Sequence, residues 1–512
     1  MKLRAPAAVG SLLLGCLLLT ACSLMPRYQP PANPAPAAYQ QFDPATDCRS
    51  PAAMPSAVPG QSTQMASFDP QSPCAWGPAH PSDQLPRKDW WQDFGDPVLD
   101  SLETQVDAAN PDLAAALARY QQAHALELEA RSALFPTVIL QGNADSARQS
   151  DTRPLRSASQ PSNYHDYLLG GQLSYEIDLW GRVRSAVAAG AAETQSLAAD
   201  IETVRLLLHA ELALDYIELR NQDAQRTLLE QTVQAYGRAL DMTQTRLQGG
   251  ISSALDVAQA QTQLETARAN LTDVVDRRTL LEHAIAALAG NVASKFSIPP
   301  AARALKLPNV PVAMPSILLE RRPDVAAAER RMAAFNAQIG VARAAFFPRI
   351  SLSAIAGFES TAAAGLFSAP NRYWAIGPQG FMALFDAGLR RAVVASARAQ
   401  FDLAADNYRG TVLTAFRQVE DALAQDRLLQ QELTQQQAAR SAAERGLALA
   451  MNQYQNGAVD YLQVVTAQIT ALQAQRAALD LESRELRASV DLVRTLGGGY
   501  QAGWPVTAQA AN

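Results

Sequence analysis

The sequence has little of what marks helical membrane transporters and nucleic-acid-binding proteins. After residue 22 it contains no apolar run of 18 residues or more, which excludes a transporter built from many membrane-spanning helices. Its 43 Lys and Arg against 49 Asp and Glu give a net charge of -6. Because the basic residues are scattered, the electrostatic signature of a nucleic-acid-binding protein is missing. Aromatic residues reach only 6% although 48% of the chain is hydrophobic, and this balance favours long, closely packed helices over disorder.

Motifs of common enzyme classes are missing as well. The sequence has no His-Glu-x-x-His pair, no Gly-x-Ser-x-Gly turn and no phosphate-binding Gly-x4-Gly-Lys loop. We therefore expect no enzymatic activity, no metal site and no cofactor. The histidines are too widely spaced to form a zinc site; they are His80, His124, His165, His209 and His283.

The N-terminus is typical of an exported protein. Basic residues precede an apolar run over residues 7–19, which predicts a secretory signal peptide over 1–21. The run ends in Leu19-Thr20-Ala21-Cys22, which resembles the lipobox of bacterial lipoproteins. We expect Cys22 to become the acylated N-terminal residue, and its covalent lipid to be the only added group. Ser23, where Asp would retain a lipoprotein at the inner membrane, indicates export to the outer membrane. The alternative is ordinary signal cleavage with Cys22 as a bystander.

Residues 22–86 are expected to form a lipidated, proline-rich arm. The stretch 26–86 holds 14 of the 30 prolines, so it cannot form a regular helix. Cys48 and Cys74 lie in this arm. Since an exported protein meets an oxidising compartment, the sequence favours a disulfide between them over two free or intermolecular thiols.

Two long tracts without proline, 162–298 and 379–504, dominate the rest of the chain. In the first, a helix over 182–248 would be about 100 Å long. A glycine-free tract over 251–289 follows, with small or apolar residues at the 3/4 spacing of a coiled-coil seam and Arg278 as its one break. The second tract repeats this design over 389–456 and 458–496.

The chain is predicted to be a tandem repeat. Asn110-Pro111-Asp112 matches Arg322-Pro323-Asp324 at an offset of 212, and later matches have an offset of 207. We therefore predict one repeat over 87–299, a second over 300–500 and a tail over 501–512. The later matches include the glycine pairs Gly250 with Gly457 and Gly290 with Gly497.

Alternating polar and apolar residues predict two strands in each repeat. One polar and one apolar face suit the wall of a transmembrane barrel, yet an open four-stranded sheet leaves edges that lipid does not tolerate. Three chains would close a barrel of about twelve strands. The alternative is a water-exposed sheet beside a helical domain, and the strands alone do not decide between the two. Their expected positions are about 134–146, 166–179, 347–359 and 373–386.

Several motifs occur in order along residues 85–500: Trp90-Trp91, Phe94-Gly95-Asp96-Pro97, the paired Asn-Pro-Asp and Arg-Pro-Asp motifs, the Phe-Pro strand starts and Leu496-Gly497-Gly498-Gly499. With the lipobox, they resemble the TolC-like outer membrane factors, most of all the lipoprotein branch called NodT type. The long arm with its two cysteines departs from that family.

The resemblance implies an α+β fold and a homotrimer. Long antiparallel coiled-coil helices would form a periplasmic α-barrel, and four strands per chain would build a trimeric 12-stranded transmembrane β-barrel. The implied function is a passive duct in the outer membrane, lipid-anchored, for small toxic compounds delivered by an inner-membrane pump of the resistance-nodulation-division (RND) type through a periplasmic adaptor. The alternatives are an outer-membrane duct for type I polypeptide secretion and a lipid-anchored periplasmic coiled-coil scaffold.

The resemblance also implies a gate at the hairpin tips, about 246–256 and 453–463. Gly249, Gly250 and Gly457 would permit the reversals there. Asp256 and Tyr454 stand where the family places a carboxylate and a tyrosine that latch neighbouring hairpins, and Asp460 is a further candidate. The alternative is that Asp256 and Tyr454 simply solvate a helix turn. Two departures weaken the pattern: Val459 replaces an arginine of some members, and Thr466 replaces an aspartate of the inner constriction.

Overall fold

A computed structural model describes residues 23–29, 89–154, 157, 159, 161–301, 305–308, 310 and 321–498. Cys22, Cys48 and Cys74 lie outside these residues, so their predicted lipidation and disulfide stay predictions. The chain forms two compact units. Of the described residues, the first contains those in 23–29, 118–198 and 327–409, and the second those in 89–117, 199–326 and 410–498.

The described chain is mostly helical with one small antiparallel sheet, as the α+β prediction requires. The helices are α1 (Pro97–Ala109), α2 (Pro111–Ser132), α3 (Arg182–Gln248), α4 (Ala254–Leu288), α5 (Pro323–Ala344), α6 (Leu389–Gln455) and α7 (Tyr461–Thr495). The strands are β1 (Thr137–Arg148), β2 (Asn163–Glu176), β3 (Arg349–Ser360) and β4 (Arg372–Phe381). Short 3₁₀ turns span Trp90–Phe94, Ala293–Lys295 and Ala369–Asn371. Within the described ranges, no helix combines the length and apolar character needed to span a membrane.

From α2 and from α5 onward, the two halves of the described chain repeat the same order of helices and strands, with equal helix lengths. Helices α2 and α5 have 22 residues each, α3 and α6 have 67, and α4 and α7 have 35. The strands are less regular, since β2 has 14 residues and β4 only 10. The change in sequence offset therefore falls between β1 and α3 in one half and between β3 and α6 in the other.

Strands β2 and β4 end before their predicted bounds, at Glu176 and Phe381. The reason lies in the helices that follow, because acidic residues inside the predicted strand ranges start those helices instead. Oδ2 of Asp178 accepts a hydrogen bond from the Arg184 amide at 2.9 Å. Oδ1 of Asp386 accepts one from the Gly388 amide at 3.1 Å.

The sheet has the order β1-β2-β3-β4, with every neighbouring pair antiparallel. Leu140 lies opposite Gly171, Gly171 opposite Ala356, and Ala356 opposite Trp374, so these residues share one face. Gln172 and other polar residues occupy the opposite face. The edge strands carry the most exposed apolar side chains; Val138, Leu140, Trp374 and Ile376 are 64–77% exposed.

In the second unit, the residue before each proline-initiated helix bonds to the end of a hairpin helix. Nδ2 of Asn110 donates to the Leu288 carbonyl at 2.9 Å, where α4 ends. Nη1 of Arg322 donates to the Thr495 carbonyl at 3.1 Å, where α7 ends. These equivalent contacts explain the paired motifs that reveal the repeat, since proline fits the first helical position and leaves the preceding side chain free to bond.

Glycine is required where these segments meet. A Cβ atom on Gly290 would lie 2.5 Å from the Ala109 carbonyl oxygen, and one on Gly497 would lie 3.1 Å from the Arg321 carbonyl oxygen. Both glycines also have positive φ, +72° and +88°, which ends α4 and α7 in the left-handed region. At both positions, the close approach of another segment and the positive φ therefore require glycine.

Arg278, the break in the predicted seam, is buried in a charged network of the second unit. Its Nε donates to Oδ1 of Asp223 at 2.7 Å, and its Nη1 to Oε2 of Glu282 at 2.6 Å. Nη1 of Arg220 donates to the other oxygen of Asp223 at 2.9 Å. Buried charges are tolerated only when paired in this way, so the irregular residue joins α4 to α3 rather than weakening the hairpin.

A second buried pair joins α1 to α3. Oε2 of Glu103 and Nδ1 of His209 are 2.6 Å apart, and both side chains are almost fully buried. The Trp91 ring stacks on the imidazole with centroids 4.4 Å apart. Burial raises the pKa of Glu103 to about 7, although the hydrogen bond and charge of His209 act in the opposite direction.

The raised pKa of Glu103 predicts a pH-dependent stability. The folded state holds the proton more tightly than the unfolded state, whose pKa is near 4.5. The stability that protonation contributes is therefore complete below about pH 4.5 and is lost as the pH rises through about 7. Glu103→Gln keeps the side chain neutral, so its thermal unfolding midpoint should fall less than that of the wild type between pH 5 and pH 8.

Circular dichroism of the detergent-solubilised protein measures this difference. Glu265→Gln is the matched control, because Glu265 forms only an exposed pair with Arg268. Parallel pH profiles for the wild type and Glu103→Gln would contradict the assignment.

Candidate functional site

The two long hairpins of the described chain reverse in equivalent turns. After α3, the Ile251 amide donates to the Arg246 carbonyl at 2.8 Å; after α6, the Ala458 amide donates to the Gln453 carbonyl at 2.8 Å. Gly250 and Gly457 have φ of +73° and +77°, as the left-handed residue of such a helix end requires. Gly249 does not share this conformation.

Asp256 starts α4 through a capping box. Its Oδ2 accepts from the Ser253 amide at 2.9 Å and from the Ser252 hydroxyl at 2.8 Å, while Oγ of Ser253 accepts from the Asp256 amide at 3.2 Å. Burial alone would raise the pKa of Asp256, but these hydrogen bonds outweigh it and lower the pKa. Asp256 is therefore a carboxylate held at the base of the first tip.

Tyr454 lies in a small apolar cluster at the second tip. The cluster contains side chains of α4, α6 and α7, and Tyr454 is only 4% exposed in it. Its ring centroid is 5.2 Å from that of Tyr461. No described residue bonds the buried Tyr454 hydroxyl. The buried members are Ala260, Tyr454, Tyr461, Val464 and Val465, with Leu240, Met451 and Val459 packed against them.

Arg246 was missed by the sequence reasoning. Its Nη1 donates to the Tyr454 carbonyl at 2.9 Å, and its guanidinium carbon is 4.5 Å from the Tyr454 ring centroid. It lies in the last turn of α3. The only sequence signal is a basic residue near a helix C-terminus, and that pattern does not reveal a partner 208 residues away.

The other tip candidates have simpler surroundings. Asp460 precedes α7 and is exposed, and its side chain does not cap the helix. Val459 is partly buried against the apolar cluster. Thr466 is exposed, and its hydroxyl donates to the Leu462 carbonyl at 2.9 Å within α7. None of these three side chains bonds the Tyr454 hydroxyl.

Asp256 and Tyr454 belong to different turns, and no hydrogen bond between them exists in the described chain. The predicted latch joins neighbouring hairpins. It is not formed between the two hairpins of one chain, so it stays a prediction for the hairpins of neighbouring chains. The Tyr454 side chain points into its own cluster here, and forming the latch requires the phenol to turn toward the neighbouring chain.

In the first unit, the residues after Cys22 lie along α5. Nδ2 of Asn336 donates to the Pro26 carbonyl at 2.9 Å, and the Tyr28 hydroxyl bonds the Glu329 side chain. We call residues 23–29 the N-terminal strap. It runs antiparallel to α5, so its first residues lie toward the C-terminal end of that helix, close in sequence to the start of β3.

A glycine on α5 makes room for the strap. A Cβ atom on Gly340 would lie 3.0 Å from Cα and Cβ of Met25 and 2.7 Å from Oγ of Ser185 on α3. Nη1 of Arg343 also reaches the Leu24 carbonyl at 3.4 Å. The strap therefore packs against α5 at a point where a larger residue would displace it.

The contacts described at the hairpin tips and along the strap are structural rather than catalytic. Across the ranges that the structure describes, no three His, Cys, Asp or Glu side chains are placed to bind a metal ion. The residues form two glycine-closed tips, of which the first has a capping box, an apolar cluster at the tips, and a sheet with one apolar face.

Comparison with known proteins agrees with this architecture. The chain is 30% identical over 491 residues to the probable efflux pump outer membrane protein TtgC of Pseudomonas putida, covering 96% of this chain and 95% of that protein. It is 31% identical over 508 residues to the outer membrane protein OprJ of Pseudomonas aeruginosa, covering 98% of both. The crystal structure of the outer membrane protein VceC of Vibrio cholerae superposes with a TM-score of 0.76 at 28% identity, covering 81% of this chain and 100% of that one.

The sequence profile of the family described as outer membrane efflux protein matches residues 103–291 and 314–498. The two matched segments correspond to the two repeats, and they span most of the chain. TtgC is named as an efflux pump outer membrane protein, and the matched family consists of efflux transport proteins rather than enzymes. The chain therefore belongs to the outer membrane efflux protein family.

Proposed function

We propose that this chain forms a passive, homotrimeric outer-membrane duct of a tripartite efflux system. Small toxic compounds reach it from an inner-membrane RND-type pump through a periplasmic adaptor, and the long helices form the periplasmic tunnel. Membership of the outer membrane efflux protein family supports the efflux role. The proposal of a trimer rests on the four-stranded sheet.

The sheet is incomplete as a membrane structure. Its apolar face exposes Leu140 and Trp374 by 77% and 75%, on the two edge strands. Within the described residues, the outer edges of β1 and β4 pair with no other strand. An open edge is not tolerated in lipid, because each unpaired backbone group costs several kcal/mol there.

Pairing between chains removes both problems at once. If β1 of one chain pairs with β4 of the next, three chains close a barrel of about twelve strands with the apolar face toward lipid. The polar face, which carries Gln172 and Ser353, then lines the bore. In this proposal, the trimer has a 12-stranded transmembrane β-barrel above a periplasmic α-barrel, and this is the full form of the α+β prediction.

We propose that Cys22 carries the lipid anchor and that the N-terminal strap leads it toward the membrane. The strap supports this because Leu24 lies beside Arg343, near the start of β3. The acyl chain and the sheet then enter the same membrane. A disulfide between Cys48 and Cys74 in the arm beyond the strap remains part of the proposal.

The strap predicts an effect of substitution at Gly340. Gly340→Ala should displace Met25 and release the strap from α5, so that trypsin cleaves faster after the exposed Arg27, because the added methyl group meets the strap backbone. Gly446→Ala is the matched control, since a Cβ there meets nothing within 4 Å and the gain in helix propensity is the same. Limited trypsin digestion and mass spectrometry of the N-terminal fragment measure the difference; equal cleavage in both variants would contradict the strap.

Deletion of the gene tests the efflux function. The deletion strain should become more sensitive to at least one compound in a panel of drugs, metals and aromatic acids, and the full-length chain should restore resistance.

The purified protein should migrate as a heat-modifiable trimer. A missing polypeptide in the medium would instead favour the type I secretion duct. A water-soluble monomer after removal of the acyl chain would favour the periplasmic scaffold.

We also propose that a hydrogen bond from Tyr454 to Asp256 of the neighbouring chain latches the closed tips. Asp256→Asn combined with Tyr454→Phe should raise single-channel conductance and vancomycin entry, because the charged acceptor and the donor are both lost. Asn keeps an oxygen that can serve the capping box, and Ser253→Ala controls for loss of the cap, which costs about 1 kcal/mol. Unchanged permeability in the double variant would exclude the latch. Asp460, exposed at the second tip, is a secondary candidate.

A further inference from the structure

Arg246 connects the tips of the two hairpins within one chain. It lies on the last turn of α3, while its guanidinium group reaches the last turn of α6. One nitrogen, Nη1, donates to the Tyr454 carbonyl at 2.9 Å, and the guanidinium carbon lies 4.5 Å from the Tyr454 ring centroid. A single side chain therefore makes a polar and a cation–π contact with the same residue.

The polar contact places a cation where α6 needs one. The C-terminal end of a helix carries partial negative charge, and a basic side chain there is stabilising. Helix α6 has no basic residue in its own last turn, whereas Arg246 is the basic residue in the last turn of α3. The Tyr454 carbonyl also accepts from the Gly457 amide at 3.0 Å, so Arg246 bonds to the turn that closes the second hairpin.

In the cation–π contact, the Arg246 guanidinium group lies over the Tyr454 ring, which belongs to the apolar cluster formed by both hairpins. Ala260 of α4 contributes to this cluster from the first hairpin, and Tyr454 and Tyr461 contribute from the second. Tyr454 is 4% exposed, and the planar guanidinium group stacks on its ring. Separating the hairpins would uncover the cluster, the ring and the carbonyl together.

We propose that Arg246 is a clasp that holds the second hairpin tip against the first and so restrains opening of the duct. This inference rests on the proposed function and adds a positioning residue to its gate. The clasp acts within one chain, through the ring and the carbonyl of Tyr454. The latch, in contrast, would act between chains and through the Tyr454 hydroxyl.

Single-channel recording of the full-length protein in planar bilayers tests the clasp. Arg246→Gln should raise the fraction of time spent conducting by about tenfold, because a charged hydrogen bond and a cation–π contact are lost together. Arg246→Lys should give a smaller increase, since it keeps the charge but not the planar fork. Arg268→Gln is the control: it removes the same charge from the same hairpin, where the side chain makes an exposed pair with Glu265.

Variants of Tyr454 separate the clasp from the latch. In a Tyr454→Phe background the ring and carbonyl remain, so Arg246→Gln should still increase conduction by the same factor. In a Tyr454→Leu background the ring is lost, so the effect of Arg246→Gln should shrink. If Arg246→Gln does not assemble as a heat-modifiable trimer, Arg246→Lys and Tyr454→Leu decide the question.

Three results would overturn the clasp: wild-type conduction in Arg246→Gln, equal opening in Arg268→Gln, or loss of the Arg246→Gln effect in the Tyr454→Phe background. Each leaves the wild-type channel intact and so leaves the proposed function standing. A wild-type protein that forms no channel and restores no resistance would instead remove the proposed function itself.

Discussion

The close approach of each hairpin end to the start of a short helix sets the geometry of the second unit. At Gly290 and Gly497 the backbone turns with positive φ, directly against Ala109 and Arg321, which stand two places before the proline of each proline-initiated helix. Side-chain bonds from Asn110 and Arg322 to the final helical carbonyls add a second contact at the same places. Since both repeats use this joint, the two hairpins end in equivalent contacts.

Buried charged residues join α3 to α4 where few apolar side chains lie between the two helices. Helix α4 has little amphipathic character, yet Arg278 and Asp223 pair beneath its surface and Glu282 completes the network. Such a pair is costly to bury and more costly to break, because either partner alone would be an uncompensated charge. Paired charges thus fix which faces of α3 and α4 meet, a choice that small apolar side chains alone leave open.

The sequence was sufficient for the helices and the repeat because glycine and proline mark their ends. Helix α3 begins and ends where the glycine spacing predicts, and the turns at Gly250 and Gly457 lie inside the predicted tips. The strand ends were less predictable, since Asp178 and Asp386 lie inside the predicted strand ranges but start helices. Arg246 could not be found because its partner is distant in sequence, and a latch between chains cannot be seen in one chain.

The equal lengths of paired helices carry an evolutionary consequence. One residue inserted into α3 alone would lengthen it by about 1.5 Å and rotate everything beyond by about 100°, so its tip would no longer match that of α6. Lineages that lengthen this protein must therefore gain residues in both halves together. The connections between β1 and β2 and between β3 and β4 are free of that rule, and insertions should accumulate there first.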